Sequence, residues 1–264
     1  MSFPSSCKNC SGPVEGNYCS ACGQPVLGRF TLLYLWQLLY QDLLDLDKGL
    51  WHTAKDLTLR PGRMIADYLN GKTKPYYSPL KYLLILVAVM YLINWFTTYN
   101  ERSAMGYSGS DWQQKFLLNA HNAFSGDSFS DFWQLLGVLL ARNLTLYFLL
   151  LLPFIAFVSK FLIKKYNYTE LLIVWAYMWG HVILLMILLV PFFILFTPEA
   201  NSSFLIAMAG SLLIVIGYFT ITLKQIGKFN WPVALFKTLA ALYGGLFSFY
   251  LLSFLFVQFI KLIF

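Results

Sequence analysis

Five apolar stretches, at 80–99, 143–163, 171–197, 203–223 and 234–260, leave this chain few folds to choose from. Each reaches the roughly 20 residues that a helix needs to cross a bilayer. Only 12% of the 264 residues are charged and 58% are hydrophobic, where a soluble domain carries about 25% charged residues. Too few charges remain to wet a soluble surface. The chain therefore reads as an all-α integral membrane protein with about five transmembrane helices, and lipid is the natural solvent for its surplus apolar surface. Residues 132–142 form a lead-in to the second span. The opening MSFPSSCKNC has no basic start followed by an apolar core, so the first span is expected to act as an uncleaved anchor.

The net charge of +7 does not point to nucleic acid, because the basic residues gather at the ends of the apolar runs. With the N-terminus inside, segments 1–81, 160–170 and 224–237 hold 15 of the 19 Lys and Arg residues. Arg102, Lys115, Arg142 and Lys261 remain outside. This asymmetry predicts a cytosolic N-terminus and an extracytoplasmic C-terminus. The outer loop 100–131 contains DWQQKFLLNAHNAF, a candidate short amphipathic helix in which His121 is expected to be solvated.

Ahead of the spans lies a cysteine-rich head, CKNCSGPVEGNYCSACGQ, residues 7–24, which holds all four cysteines. Cys7 and Cys10 form one C-x-x-C turn, and Cys19 and Cys22 form the other. Two such turns offer four thiolates to one tetrahedral Zn²⁺. A head this short has almost no core, so a structural Zn would have to fold it. Gly23, after the last cysteine, lets backbone amides point back at the sulfurs. The alternatives are two disulfides, which need an oxidising compartment, or a redox pair, which needs a strand–helix turn. Lys8 and Glu15 are poor equipment for gripping phosphates, so no nucleic acid is expected here either.

Between head and spans, Gln37, Gln41, Asp45, Lys48, His52 and Lys55 recur at helical spacing as one polar stripe. The pattern predicts amphipathic helices lying on the membrane or packed against the bundle; a short additional span over 27–46 is the alternative. RPGRMIADYLNGK predicts a further short helix, opened by Pro61 and stopped by Gly71. Lys72, Lys74 and Lys81, with Tyr76 and Tyr77, read as interface anchors. Three regions result: a zinc-ribbon head at 1–28, interfacial helices at 29–79 and a helical bundle at 80–264.

LDKGLWHTAKDLTLRPGRMIADYLNGKTKPYYSPLKYLL, residues 46–84, resembles the signature of an uncharacterised bacterial membrane-protein family of Bacteroidota type. Its members open with a C-x-x-C…C-x-x-C-G-Q zinc-ribbon head, continue with an LDKG…RPG…YLNGK segment and end in several spans. A looser resemblance covers LLPFIAFVSKFLIKKYNYTELLI, residues 151–173. Ser11 stands where glycine is usual. The resemblance implies this architecture in a bacterial inner membrane and no established activity. In span number the chain is also similar to five-span trafficking proteins of the Yip type.

Polar groups inside spans are costly and often functional. His181, with Tyr177 one turn earlier as a hydrogen-bond partner, forms with Asn94 and Arg142 the candidate intramembrane polar site. The plainer reading makes His181 an interhelical contact and lets Arg142 snorkel to the outer interface. Gln258 lies near the end of the fifth span. Pro153 and Pro191 are expected to kink their helices. Ala240, Gly244 and Ser248, and Ala241 and Gly245, set small residues four apart, which permits close packing within the chain or in a homo-oligomer. No phosphate loop, H-E-x-x-H, G-x-S-x-G or intramembrane acidic pair occurs, so no catalytic residues are assigned. The leading expectation is a non-enzymatic scaffold, assembly or trafficking module that engages a protein partner at the cytosolic face. The alternatives are a transporter or channel subunit with a polar path near His181 and Asn94, and a lipid-modifying membrane enzyme.

Overall fold

The computed structural model describes residues 6–15, 18–25, 30–35, 49–104, 144–196 and 201–263. Arg142, His121, most of the outer loop, and Gln37, Gln41, Asp45 and Lys48 of the polar stripe fall outside them, as does most of the alternative span over 27–46.

The head is a two-stranded antiparallel hairpin, β1 (Val14–Glu15) and β2 (Tyr18–Cys19), with Val14 opposite Cys19 and Glu15 opposite Tyr18. Helices then follow: α1 (Gly49–Leu59), α2 (Pro61–Leu69), α3 (Pro79–Ala104), α4 (Leu144–Leu162), α5 (Tyr168–Phe196), α6 (Asn201–Gly227) and α7 (Trp231–Ile263). Three of them contain stretches long and apolar enough to cross a membrane, Tyr168–Leu189, Gly210–Gly227 and Trp231–Phe256. Pro79–Ile93 and Leu149–Leu162 are shorter apolar helices. The chain is a helical membrane protein.

The helix ends follow local chemistry. Pro61 opens α2, where a missing N–H leaves no bond unmade. Gly71 closes it in the left-handed region at φ +96°, with Lys72 N bonded to Asp67 O at 3.0 Å. α5 opens with a reciprocal cap: Glu170 N donates to Asn167 Oδ1 at 2.7 Å, and Asn167 N donates to Glu170 Oε2 at 2.8 Å. α6 closes at Lys228, held at φ +53° without being glycine, with Phe229 N donating to Lys224 O at 3.2 Å.

Two compact units share the longer helices. The first contains the described residues of Met1–Leu86 and Leu152–Gly245. Its core is α5, whose residues Ile173–Met178 are wholly buried. α1 and α2 are packed against the bundle: α1 meets α5, and α2 runs along α6 with Met64, Ile65 and Tyr68 buried. Three glycines set how closely these helices approach. A Cβ at Gly62 would lie 3.0 Å from Thr222 O, one at Gly180 2.8 Å from the Tyr82 ring, and one at Gly245 2.9 Å from Ile155 Cα. Gly244 likewise abuts Val158, so both glycines of the small-residue stripe pack within the chain. In the second unit, Val89, Leu92, Trp95 and Phe96 of α3 and Leu251, Leu252, Leu255 and Phe256 of α7 are exposed. Such surfaces suit lipid.

Candidate functional site

The head is built twice over. In the first turn Ser11 N donates to Cys7 O at 2.9 Å and Cys7 N to Gly12 O at 2.8 Å. In the second, Gly23 N donates to Cys19 O at 2.8 Å and Cys19 N to Gln24 O at 2.9 Å. The residue after each second cysteine is left-handed, Ser11 at φ +60° and Gly23 at φ +68°. Bridges pair Ser6 with Pro13 and Tyr18 with Pro25. Every feature recurs after 12 residues, so SCKNCSGP and YCSACGQP are two copies of one cysteine turn. The sequence carries the signal as C-x-x-C-x-x-P occurring twice, which the cysteine spacing alone does not disclose.

The two copies bring all four sulfurs within 4.8 Å of one another. Cys7 Sγ lies 3.7 Å from Cys22 Sγ, and Cys10 Sγ 3.6 Å from Cys19 Sγ. A tetrahedral Zn²⁺ with Zn–S near 2.3 Å sets its sulfurs roughly 3.8 Å apart, so the cluster fits one metal ion. A disulfide requires about 2.05 Å, and all four thiols are free. Two thiols shift down, Cys22 to about 6, first through the backbone N–H of Gln24, and Cys19, first through that of Cys22, whereas Cys10 is pushed up to about 12 because the neighbouring thiols outweigh the N–H of Gly12. A thiolate is the form a metal binds.

The head is seated on the connector between α2 and α3. The buried Gln24 side chain spans it, donating through Nε2 to Gly71 O at 2.7 Å and accepting at Oε1 from Thr73 N at 3.3 Å and Lys74 N at 3.2 Å. The Lys74 ammonium donates to Cys22 O. A Cβ at Gly71 would lie 2.7 Å from Lys8 Cδ, so Lys8 lies across that glycine.

Further along, polar side chains are packed between helices. His181, 1% exposed, lies 3.2 Å from Thr58 Oγ1 through Nε2 and 3.2 Å from Tyr82 OH through Nδ1. The Thr58 hydroxyl proton is committed to Ala54 O at 2.8 Å, so Thr58 accepts from Nε2–H and Tyr82 donates to Nδ1. The Tyr218 ring lies 5.2 Å from the imidazole. Both ring nitrogens are therefore satisfied. Tyr177 does not partner His181, a correction to the sequence expectation; its hydroxyl donates to Tyr77 O at 2.6 Å, because the 76–78 segment packs into its reach. Asn94 lies on α3 in the second unit. Gln258 is exposed on α7.

Asp56 is the buried acid that the sequence pattern passed over. Arg60 Nη2 donates to its Oδ2 at 2.6 Å, Tyr76 OH is 3.4 Å away, and His52 Nε2 is 3.6 Å away. Burial alone would raise its pKa; the hydrogen bond and charge of Arg60 outweigh that and hold it below 3.8.

Fold and cluster together define a helical membrane protein with a four-cysteine head seated on its connector. Residues 47–91 match the model of a family described as a protein of unknown function, DUF3667. No curated protein and no solved structure matches the chain.

Proposed function

We propose that this chain is a non-enzymatic scaffold, assembly or trafficking module of the bacterial inner membrane. In this reading it carries a zinc-ribbon head and five spans, with its N-terminus in the cytosol and its C-terminus outside, and it engages a protein partner at the cytosolic face. The observation that carries the reading is the Gln24 latch, which joins the head to the connector through both ends of one amide. In this reading a head so fastened to the connector at the end of α2 forms one composite docking surface with it. Five spans are supported by the helical lengths of α3 and α4, 26 and 19 residues, about 39 and 28 Å at 1.5 Å per residue. Zinc is favoured by an all-thiolate donor set at tetrahedral spacing. The satisfied bonding of His181 favours this module over the transporter alternative.

The test is affinity purification from native membranes, comparing the wild type with Gln24→Ala and Lys74→Ala. A stoichiometric partner retained by the wild type and lost by the variants, with zinc content unchanged in all three, is the expected result. If the variants hold the partner equally well, the head recruits it alone and the composite surface is wrong. If the wild type holds no partner, the scaffold reading fails.

A further inference from the structure

A cleft of about 370 Å³ opens where α4 and α6 end and α7 begins, lined by Leu162, Lys164, Lys165, Gly227, Phe229 and Lys237, among others. Its volume lies within the roughly 300–1,000 Å³ of small-ligand sites. Three of the lining residues are cationic and none is acidic.

These charges exceed what the local helices need. Carbonyls at the ends of α4 and α6 attract cations, but they already have donors: Lys237 Nζ donates to Leu162 O at 2.7 Å, and Tyr166 OH to Ile226 O at 3.3 Å. Lys160 Nζ is taken by Tyr166 O at 2.9 Å. Glu170, the acid in the first turn of α5, caps that helix with Asn167. Lys164 and Lys165 are exposed and bring positive charge to the concavity, with Lys165 Nζ 5.0 Å from the centre of the Tyr166 ring. Phe229 forms an aromatic wall, 4.0 Å from Lys237 Nζ.

Exposed apolar side chains adjoin the lining residues in sequence. Phe157 and Phe161 on α4, and Val233 and Phe236 on α7, are exposed and flank the lining lysines in sequence. Apolar surface reaching a cluster of lysines at helix ends is the arrangement that meets a phospholipid, chains against the aromatics and phosphate among the ammonium groups. We propose that this cleft binds a phosphate-bearing anion, and that the anion is the headgroup of an anionic phospholipid held by Lys164, Lys165 and Lys237.

The experiment uses the full chain in nanodiscs or detergent, with lipid retention read by native mass spectrometry. The probes are phosphatidylglycerol, phosphatidylcholine and inorganic phosphate. Phosphatidylglycerol is expected to be retained over phosphatidylcholine, with about a fivefold loss for each lysine changed to glutamine. Lys164→Gln with Lys165→Gln leaves the Lys237–Leu162 bond intact, so this pair separates lost binding from lost folding. Lys237→Arg should keep the affinity. Lys55→Gln, an exposed lysine elsewhere, should not change it. Equal retention of the two lipids, or unchanged retention in the folded double variant, overturns the site. If inorganic phosphate binds with the same lysine dependence while phosphatidylglycerol does not, the ligand is a soluble phosphate and the lipid assignment is overturned.

Discussion

Ser11 occupies a backbone conformation that its twin, Gly23, adopts freely. At φ +60° an L-residue crowds its Cβ against the following carbonyl, a cost of roughly 1–2 kcal/mol. Ser11→Gly should therefore stabilise the metal-loaded head by about 1 kcal/mol, after the entropy that glycine loses on folding. Chelator competition on the full chain checks this; unchanged or faster metal loss in the variant would refute it. Asp56 makes a second prediction. Its folded pKa lies below the unfolded value, so its contribution is present above pH 3.8 and is lost as pH falls through the folded value. Thermal melts in detergent should show acid destabilisation below about pH 4 that Asp56→Asn reduces, while that variant loses roughly 1–2 kcal/mol at pH 7 through the bond to Arg60. A variant with the wild-type acid profile would exclude Asp56 as the source. Asp56 was illegible in the sequence for a definite reason. The stripe through His52 and Lys55 drew attention to the exposed face, and the neutralising Arg60 sits one turn later, beside the Pro61–Gly62 break. The four-cysteine cluster was legible because two C-x-x-C turns bring four sulfurs to one point. The latch was not, because Gln24 binds backbone groups, which have no letter in a sequence.

At the level of helices, the apolar runs marked each segment but not its ends. The run 171–197 became Tyr168–Phe196 and the run 203–223 became Asn201–Gly227. Hydropathy marks the part suited to lipid, whereas the helix continues to its caps, Asn167 with Glu170 at one end of α5 and left-handed Lys228 at the end of α6. Closeness between helices was harder to read. Gly62 looks like part of a turn in RPG, yet its N–H donates to Gln225 Oε1 at 2.9 Å and its missing Cβ lets α2 lie on α6. Alanine normally gains about 1 kcal/mol over glycine within a helix. Gly62→Ala should instead lose about 1–3 kcal/mol by overpacking, so the sign of the change in melting temperature decides the matter. A stabilised variant would mean that α2 can move off α6 at little cost.

For the whole molecule, the number of helices that cross the membrane fixes the sides on which the two termini lie. Among the described residues three have the length and apolarity, and two more are expected, at α3 and α4. Reporter fusions at the two termini should report opposite sides, cytosolic for the N-terminus and external for the C-terminus. Two termini on one side would mean an even number of crossings and would return attention to the stretch 27–46. The two units were not legible in the sequence, since α3, α4 and α7 each contribute to both and no change of composition marks the division.

The Gln24 latch has a consequence for genetics. Two of its three partners are amide protons and the third is a carbonyl, so its receiving side survives deletion of the Thr73 side chain. An alanine scan across 72–74 would remove the Lys74 ammonium from Cys22 O and otherwise pass over the joint in silence. Proline at 73 or 74, which strips out the amide proton, would break it. A surface joined in this way can exchange side chains, and with them the partners it recognises, while the head stays fastened.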